Sequence, residues 1–163
     1  MEQGSQTKAL LLVEDDAIYA QFILSALRKS ALPLRLNHCT DVDQALAYLR
    51  AEPPYSDRAA HPMPDIVLLD VTLGASSGFP VLHWLQENGH LQNEKIRVVI
   101  LSSSSRTEHL QEALRFGAIS YLVKSPTAEN VIGLLAKWLP LPSFPTPGGA
   151  SGVQAPSTSP PTK

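Results

Sequence analysis

Apolar residues along the chain occur in two patterns: short continuous runs, and longer stretches in which they recur every three or four positions. The continuous runs have the length of β-strands, and polar residues do not alternate with apolar ones inside them. They predict five strands: Lys8–Glu14, Leu34–Cys39, Ile66–Leu69, Arg97–Leu101 and Ile119–Val123. Strands that are apolar throughout are typical of a parallel sheet with both faces covered by helices.

A stretch with helical spacing follows each predicted strand, and the first such helix extends from about Ala17 to Ser30. Capping boxes predict the starts of two further helices, one from Thr40–Asp43 to about Arg50 and one from Ser105–Glu108 to Gly117. The remaining two helices are predicted across Val81–Leu85 to about Gly89 and from Pro126 to Leu139. Strands that alternate with helices in this way predict an α/β fold, a doubly wound parallel sheet of five strands with five helices.

Two segments show no apolar periodicity. Residues 51–64 contain four prolines and are predicted to form an extended loop. Residues 140–163 contain half of the fourteen prolines together with Gly, Ser and Thr, so they cannot bury enough apolar surface to offset the entropy of ordering. We therefore expect a flexible N-terminus over 1–7, one folded domain over 8–139 and a disordered tail over 140–163.

Composition limits the classes of function. The chain has 163 residues and is 44% hydrophobic, enough for one ordinary core. Its formal charge is −2 and its basic residues are scattered, which argues against nucleic acid as a partner. The single cysteine, Cys39, excludes an internal disulfide and is expected to be a buried free thiol. No apolar run approaches eighteen residues and no signal peptide is visible, so we expect no membrane association and a cytoplasmic location.

Chemically useful side chains stand at the carboxyl ends of four predicted strands. Glu14 and Asp15 end the first strand, Asp70 the third, Ser102 the fourth and Lys124 the fifth. The carboxyl ends of parallel strands meet at one edge of the sheet, and ligands bind at that edge. The sequence therefore predicts that three acids, a hydroxyl and an amine lie together.

Three carboxylates in one place repel each other and are costly to desolvate unless a cation compensates them. Mg²⁺ suits Glu14, Asp15 and Asp70, because it prefers oxygen ligands. A metal of this kind also supports phosphoryl transfer, with Asp70 as the nucleophile that forms an aspartyl phosphate. In this hypothesis Lys124 pairs with one phosphoryl oxygen and Ser102 donates a hydrogen bond to another.

Four motifs in order carry a resemblance to a known family. They are VEDD after the first strand, LLLDVTL around Asp70, VVILSSSS with its small hydroxyl residue, and YLVKS ending near Lys124. Over residues 8–139 the chain resembles a response-regulator receiver domain of two-component signalling. The resemblance implies a flavodoxin-like sheet with strand order 2-1-3-4-5. It also implies that a sensor histidine kinase donates a phosphoryl group to Asp70. The receiver itself would catalyse this transfer and a slow dephosphorylation, although it is not a conventional enzyme.

The resemblance further implies roles for individual residues. Glu14, Asp15, Asp70 and the backbone carbonyl of Thr72 would hold Mg²⁺. On phosphorylation, Ser102 would move toward the phosphoryl group and Tyr121 would rotate inward behind it. Asp16 falls at the start of the first helix, where an N-cap role is expected instead of a metal ligand.

Three features depart from the common receiver pattern. Ser125, not proline, follows Lys124, and Leu73-Gly74 replaces the usual turn with proline after Asp70, which predicts a more mobile loop. Together with the 51–64 insertion and the absence of an output domain, these features resemble the stand-alone regulators paired with bacterial phytochromes. Such regulators often form homodimers through their last two helices, so a phytochrome kinase, a homodimer and an unidentified downstream protein are the partners that the resemblance implies.

Two other classes of protein are alternatives to a phosphorylated switch. A haloacid-dehalogenase-like phosphohydrolase also uses a strand-end aspartate and Mg²⁺, but it needs a second aspartate two residues later, where this chain has Thr72. A pseudo-receiver would act as an interaction module that is never phosphorylated. The complete set of acids, hydroxyl and lysine argues against it.

Overall fold

A computed structural model of the chain describes residues 6–103, 106–125 and 127–139. Its strands are β1 Lys8–Val13, β2 Leu34–Cys39, β3 Ile66–Asp70, β4 Thr72–Leu73, β5 Ser76–Ser77, β6 Arg97–Ser102 and β7 Ser120–Val123. Five of them form one parallel sheet in the order β2-β1-β3-β6-β7, while β4 and β5 form a separate antiparallel hairpin. Without the hairpin strands this order is 2-1-3-4-5, so the predicted topology is confirmed.

The helices of the described residues are α1 Ala17–Lys29, α2 Val42–Arg50, α3 Phe79–Glu87, α4 Thr107–Arg115 and α5 Glu129–Ala136, with a short 3₁₀ turn at Gln92–Glu94. The prediction of five helices is confirmed, but two of their starts are wrong. The last helix begins at Glu129 and not at Pro126, which lies outside the described residues. None of these helices is long and apolar enough to cross a membrane.

The start of α2 lies one residue from the predicted capping box. Asp41, not Thr40, is the N-cap, and its Oδ1 accepts a hydrogen bond from the Gln44 N–H at 2.8 Å. The Gln44 side chain accepts in turn from the Thr40 N–H at 3.3 Å. Either side chain suits an N-cap, so the backbone conformation decides between neighbouring candidates. The second predicted box lies partly outside the described residues, because Ser105 belongs to that part of the chain.

Both faces of the sheet are buried, as the apolar strands predict. In β1, Leu11 and Val13 pack into a cluster that contains residues of α2 and α3, and Leu10 and Leu12 pack into another that contains residues of α1 and α5. Successive side chains of a strand point to opposite faces, so a strand covered on both sides needs apolar residues at every position. The polar residues that follow such a strand therefore mark the edge of the sheet.

The segment 51–64 is a loop, but it is not extended. Arg58 donates hydrogen bonds to the carbonyl oxygens of Tyr48 and Leu49 at 2.9 and 2.7 Å, near the C-terminal end of α2. The Tyr48 hydroxyl donates to the Pro62 carbonyl at 2.9 Å. The loop is therefore folded against α2, because it satisfies carbonyl groups that a helix leaves unpaired at its end. The predicted flexible tail over 140–163 and the first five residues lie outside the described residues.

Candidate functional site

The ladder of backbone hydrogen bonds continues past the strand ends and fixes the residues that follow. The Glu14 N–H donates to the Cys39 carbonyl at 3.0 Å, and the Lys124 N–H donates to the Ser102 carbonyl at 2.7 Å. Asp70, the last residue of β3, pairs with Leu101 of β6. The backbones of the candidate residues thus start from defined positions on one edge of the sheet.

Three carboxylates meet at this edge. Glu14, Asp15 and Asp70 each offer one oxygen, and these oxygens all lie within 4.8 Å of one another. Glu14 and Asp70 are buried, with 0% and 2% of their surfaces exposed, and Asp15 is exposed. The structure therefore brings together the three acids that the strand ends predict, one of them open to solvent.

Lys124 lies between the two buried acids. Its Nζ atom is 2.7 Å from Glu14 Oε2 and 2.7 Å from Asp70 Oδ2, and its side chain is 16% exposed. The contact with Asp70 is also a well-directed hydrogen bond. The contact with Glu14 is a close ion pair, although its geometry leaves Oε2 without a directed hydrogen bond. In the structure Lys124 thus pairs with both acids directly.

Burial and charge shift the pKa values of this pair in ways that agree with their contacts. Burial raises the pKa of Glu14, the neighbouring Asp70 charge raises it further, and Lys124 partly offsets both effects. Burial alone would lower the pKa of Lys124. Its hydrogen bond to Asp70 and its attraction to both carboxylates outweigh that effect, so the pKa of Lys124 is raised. The ammonium is therefore held in its charged form beside the carboxylates.

The donor set fits a hard divalent cation. Three carboxylates and one ammonium leave two negative charges uncompensated in this cluster, when all of them are ionised. Adjacent ligands of octahedral Mg²⁺ lie about 3 Å apart and opposite ones about 4.2 Å, so oxygens within 4.8 Å of one another need to approach by at most about 2 Å. Glu14, Asp15 and Asp70 thus fit the expected Mg²⁺ in charge, chemistry and spacing.

The Asp70 carboxylate is held by both of its oxygens. Oδ1 accepts a hydrogen bond from the Thr72 N–H at 2.7 Å, and Oδ2 pairs with Lys124. The contact with Thr72 comes from its backbone, and its side chain is exposed. A carboxylate oriented by two donors is prepared for a reaction at a defined oxygen.

The segment after Asp70 forms the β4–β5 hairpin, whereas we expected a more mobile loop. Thr72 pairs with Ser77 and Leu73 with Ser76, and the Leu73 side chain is buried. Gly74 adopts a φ of +57° in the turn, and a Cβ there would lie 3.6 Å from Asp15 Oδ2. The hairpin therefore borders the acidic cluster, and its pairing supplies order that a proline would otherwise provide.

Gly78 closes the hairpin against the backbone of the acceptor residue. A Cβ at this position would lie 2.1 Å from the carbonyl oxygen of Asp70, so no other residue fits without a backbone shift. The Gly78 N–H donates to the Val71 carbonyl at 3.0 Å. This glycine allows the start of α3 to pack directly beneath Asp70.

The two candidate switch residues occupy different environments. Ser102 is completely buried at the end of β6. Tyr121 of β7 is partly buried and packs against the cluster on the α2–α3 face of the sheet. Ser102 is thus placed at the carboxyl edge and Tyr121 behind it, while their switching roles stay predictions.

Two further residues contact the site, and our reading of the sequence did not assign them to it. The Tyr19 ring centroid lies 4.6 Å from Lys124 Nζ, although the pattern indicates only an apolar position in α1. His38 Nε2 lies 2.8 Å from the Glu14 carbonyl oxygen. The signal for both is their place along the chain: Tyr19 lies in the first turn of α1, and His38 lies one residue before the end of β2. Asp16, as predicted, caps α1 and accepts hydrogen bonds from the N–H groups of Ile18 and Tyr19.

Comparisons with known proteins agree with this arrangement. The family described as "Response regulator receiver domain" matches residues 10–136. The "Probable methanogenesis regulatory protein FilR2" of Methanothrix harundinacea is 30% identical over 122 residues, which make up 75% of each chain.

Solved structures of similar fold include two regulators whose names refer to phytochromes. The phosphorylated cyanobacterial phytochrome response regulator RcpA is 28% identical, with a TM-score of 0.68 and coverage of 82% of this chain and 91% of that one. The bacteriophytochrome response regulator RtBRR is 29% identical, with a TM-score of 0.71 and coverage of 88% of this chain and 86% of that one.

Proposed function

Because the chain belongs to the response regulator receiver domain family, we propose that it accepts a phosphoryl group from a sensor histidine kinase onto Asp70 in the presence of Mg²⁺. The phosphorylated form then presents a changed surface to a protein partner. The observation that carries the proposal is the position of the Asp70 carboxylate, held between Lys124 and the Thr72 N–H in an acidic cluster that fits Mg²⁺.

The reaction is a displacement at phosphorus. A carboxylate oxygen of Asp70 attacks the phosphorus, the bond between phosphorus and the donor histidine nitrogen breaks, and the leaving imidazole takes up a proton. Bound Mg²⁺ supplies charge neutralisation to the transferring group. Glu14, Asp15, Asp70 and the Thr72 carbonyl are the residues that would hold it. Lys124 pairs with a phosphoryl oxygen, and the Ser102 hydroxyl donates to another.

Lys124 has to exchange partners during this reaction. In the structure its ammonium binds carboxylate oxygens of Glu14 and Asp70. A phosphoryl group on Asp70 brings new anionic oxygens to the same place, and charge-assisted hydrogen bonds to these oxygens are at least as strong. The lysine therefore changes from the counter-ion of two acids to a ligand of the acyl phosphate.

The proposed output is a change at the surface near β7. When Ser102 approaches the phosphoryl group, space opens behind it, and Tyr121 rotates inward to fill that space. The neighbouring surface carries exposed apolar side chains, Leu114 on α4 and Val123 on β7. We propose this region as the contact for the downstream protein, and the last two helices as the contact of a homodimer.

The proposed kinase is a bacterial phytochrome in the cytoplasm. Support comes from the two solved regulators of 28% and 29% identity whose names refer to phytochromes. Support also comes from Ser125 after Lys124 and from the 51–64 insertion. A phosphotransfer assay that compares a phytochrome kinase with an unrelated histidine kinase tests this assignment. Equal transfer rates from both kinases would contradict it.

Intact mass after incubation with acetyl phosphate and Mg²⁺ tests the proposed function itself. We expect wild-type protein to gain one phosphoryl group and Asp70→Asn to gain none. Asp43→Asn is the matched control, because Asp43 is an exposed aspartate at the start of α2 and should leave phosphorylation unchanged. If the wild-type mass does not change, the chain is a pseudo-receiver and the proposal is wrong.

A further inference from the structure

The ammonium group of Lys124 has an aromatic neighbour as well as two acidic ones. Its Nζ atom lies 4.6 Å from the centroid of the Tyr19 ring, within the distance at which a cation is attracted to the face of an aromatic ring. Glu14 Oε2 and Asp70 Oδ2 lie at 2.7 Å from the same atom. Lys124 is therefore held by two carboxylates and one ring.

Tyr19 is itself fixed relative to the acidic segment. Its N–H donates to Asp16 Oδ1 at 3.0 Å, and the Asp16 N–H donates to Glu14 Oε1 at 3.1 Å. The Tyr19 side chain packs, partly buried, against the core cluster on the α1–α5 face of the sheet. The segment that supplies the acids thus also determines where the ring lies.

The other end of the ring contacts the loop that follows β7. Burial raises the pKa of the Tyr19 hydroxyl, and the nearby Ser125 backbone partly offsets that effect. The hydroxyl end of the ring therefore lies close to the lysine-bearing loop.

We propose that Tyr19 is a positioning residue for Lys124: its ring keeps the ammonium directed toward Asp70. A lysine side chain has four rotatable bonds and loses much freedom when its end is fixed. The ring restricts that freedom before the phosphoryl donor arrives. This inference rests on the proposed phosphoryl transfer to Asp70, because the positioning matters for the rate of that step.

The rate of phosphorylation by acetyl phosphate should respond to the ring more than to the hydroxyl. We expect Tyr19→Leu to slow phosphorylation about 3- to 10-fold, since a partly desolvated cation–π contact is lost. Tyr19→Phe keeps the ring and should stay within about twofold of wild type. Trp138→Leu is the matched control, because the Trp138 ring also contacts a cation, Arg97 at 5.3 Å, but at the opposite edge of the sheet, and its loss should leave the rate unchanged.

A double-mutant cycle distinguishes positioning from a general structural role. If Tyr19 acts through Lys124, then Tyr19→Leu should cause no further slowing in a Lys124→Met background. The same fold-loss in both backgrounds, or a wild-type rate for Tyr19→Leu, would overturn the inference.

A spectroscopic readout makes the inference independent of phosphorylation. The full chain is labelled with ¹³C-lysine, and the ε-methylene signal of Lys124 is identified by its loss in Lys124→Met. The ring current of Tyr19 should shift this signal. The shift should persist in Tyr19→Phe and disappear in Tyr19→Leu. An unchanged signal in Tyr19→Leu would overturn the inference. This test holds even if the phosphorylation rate of Lys124→Met is too slow to measure. If wild type is not phosphorylated but the signal behaves as expected, the positioning contact stands and the proposed function fails.

Discussion

Lys124 Nζ lies at the same distance, 2.7 Å, from Glu14 Oε2 and from Asp70 Oδ2, although the three residues lie at the ends of different strands. Both carboxylates are almost completely buried, so the lysine is the counter-charge that makes their burial tolerable. Its position also means that any cation that binds the acids competes with the ammonium for two of their oxygens.

The first prediction concerns Lys124→Met. In a chelator, this change leaves two buried carboxylates without a fixed counter-charge and should lower the free energy of unfolding by about 3 kcal/mol. Mg²⁺ should recover most of that loss and should bind more tightly than to wild type, because the ammonium no longer competes. The measurement is the thermal midpoint as a function of Mg²⁺ concentration.

The exposed Lys95 provides the control for this experiment. Lys95→Met removes a lysine that lies just before β6, at the opposite edge of the sheet from the acidic cluster, and should leave the Mg²⁺ response as in wild type. A Lys124→Met protein whose midpoint rises less with Mg²⁺ than that of wild type would contradict the competition.

Much of the fold can be predicted because strand burial leaves a simple pattern. β1 and β3 need an apolar residue at nearly every position, so Glu14 and Asp70 stand out as the acidic residues at the ends of apolar runs. Parallel strands then bring those points to one edge. This is why residues separated by more than a hundred positions, such as Glu14 and Lys124, could be assigned to one place from the sequence.

Side-chain contacts could not be predicted in the same way. The distances between Lys124, Glu14 and Asp70 depend on rotamers of flexible side chains, and no pattern of residue types determines them. The sequence pattern places Tyr19 at an apolar position of a helix and does not reveal its contact with Lys124, because an aromatic residue serves equally in a core or beside a cation. The hairpin at 72–77 was missed because two-residue strands carry too little periodicity to be recognised.

The second prediction separates two neighbouring acids. Asp15 belongs to the acidic cluster, and Asp16 caps α1. Asp15→Asn should reduce the stabilisation by Mg²⁺ at least several-fold, because it removes the exposed carboxylate from the cluster. Asp16→Asn should keep the Mg²⁺ response and most of the stability, since asparagine is also a good N-cap. Thermal melts with and without Mg²⁺ measure both effects, and equal responses of the two variants would show that Asp15 is not a metal ligand.

The third prediction compares two glycines. Gly78→Ala should lower the free energy of unfolding by about 2 kcal/mol or more, because the new Cβ would lie 2.1 Å from the Asp70 carbonyl oxygen. It should also slow phosphorylation, since the backbone of the acceptor residue must shift. Gly133 in α5 has nothing within 4 Å of the corresponding position, so Gly133→Ala should stabilise the protein by about 0.5–1 kcal/mol. Urea unfolding decides the signs, and a neutral Gly78→Ala would refute the close contact.

The fourth prediction concerns the single cysteine. Cys39 is completely buried as a free thiol, as the sequence predicts, and burial raises its pKa from 9.0 to about 11. At pH 8 about one folded molecule in a thousand carries the thiolate, which is the reactive form. A thiol reagent should therefore label native protein very slowly at that pH and denatured protein rapidly. Rapid labelling of the native protein would contradict the burial.

The same shift predicts a pH dependence of stability. Between pH 9 and about 11 the unfolded chain loses the thiol proton while the folded chain keeps it. The stabilisation is thus complete below pH 9 and is lost as the pH rises through about 11, with a total near 3 kcal/mol at most. Other groups titrate in this range as well, including Tyr48, whose pKa is raised to about 12 by burial. The informative quantity is therefore the difference between wild type and Cys39→Ala in urea midpoints across this range. This difference should diminish as the pH rises, because only the wild type has a thiol to ionise. Midpoints of the two proteins that change in parallel with pH would mean that the thiol has a similar pKa in the folded and unfolded chains.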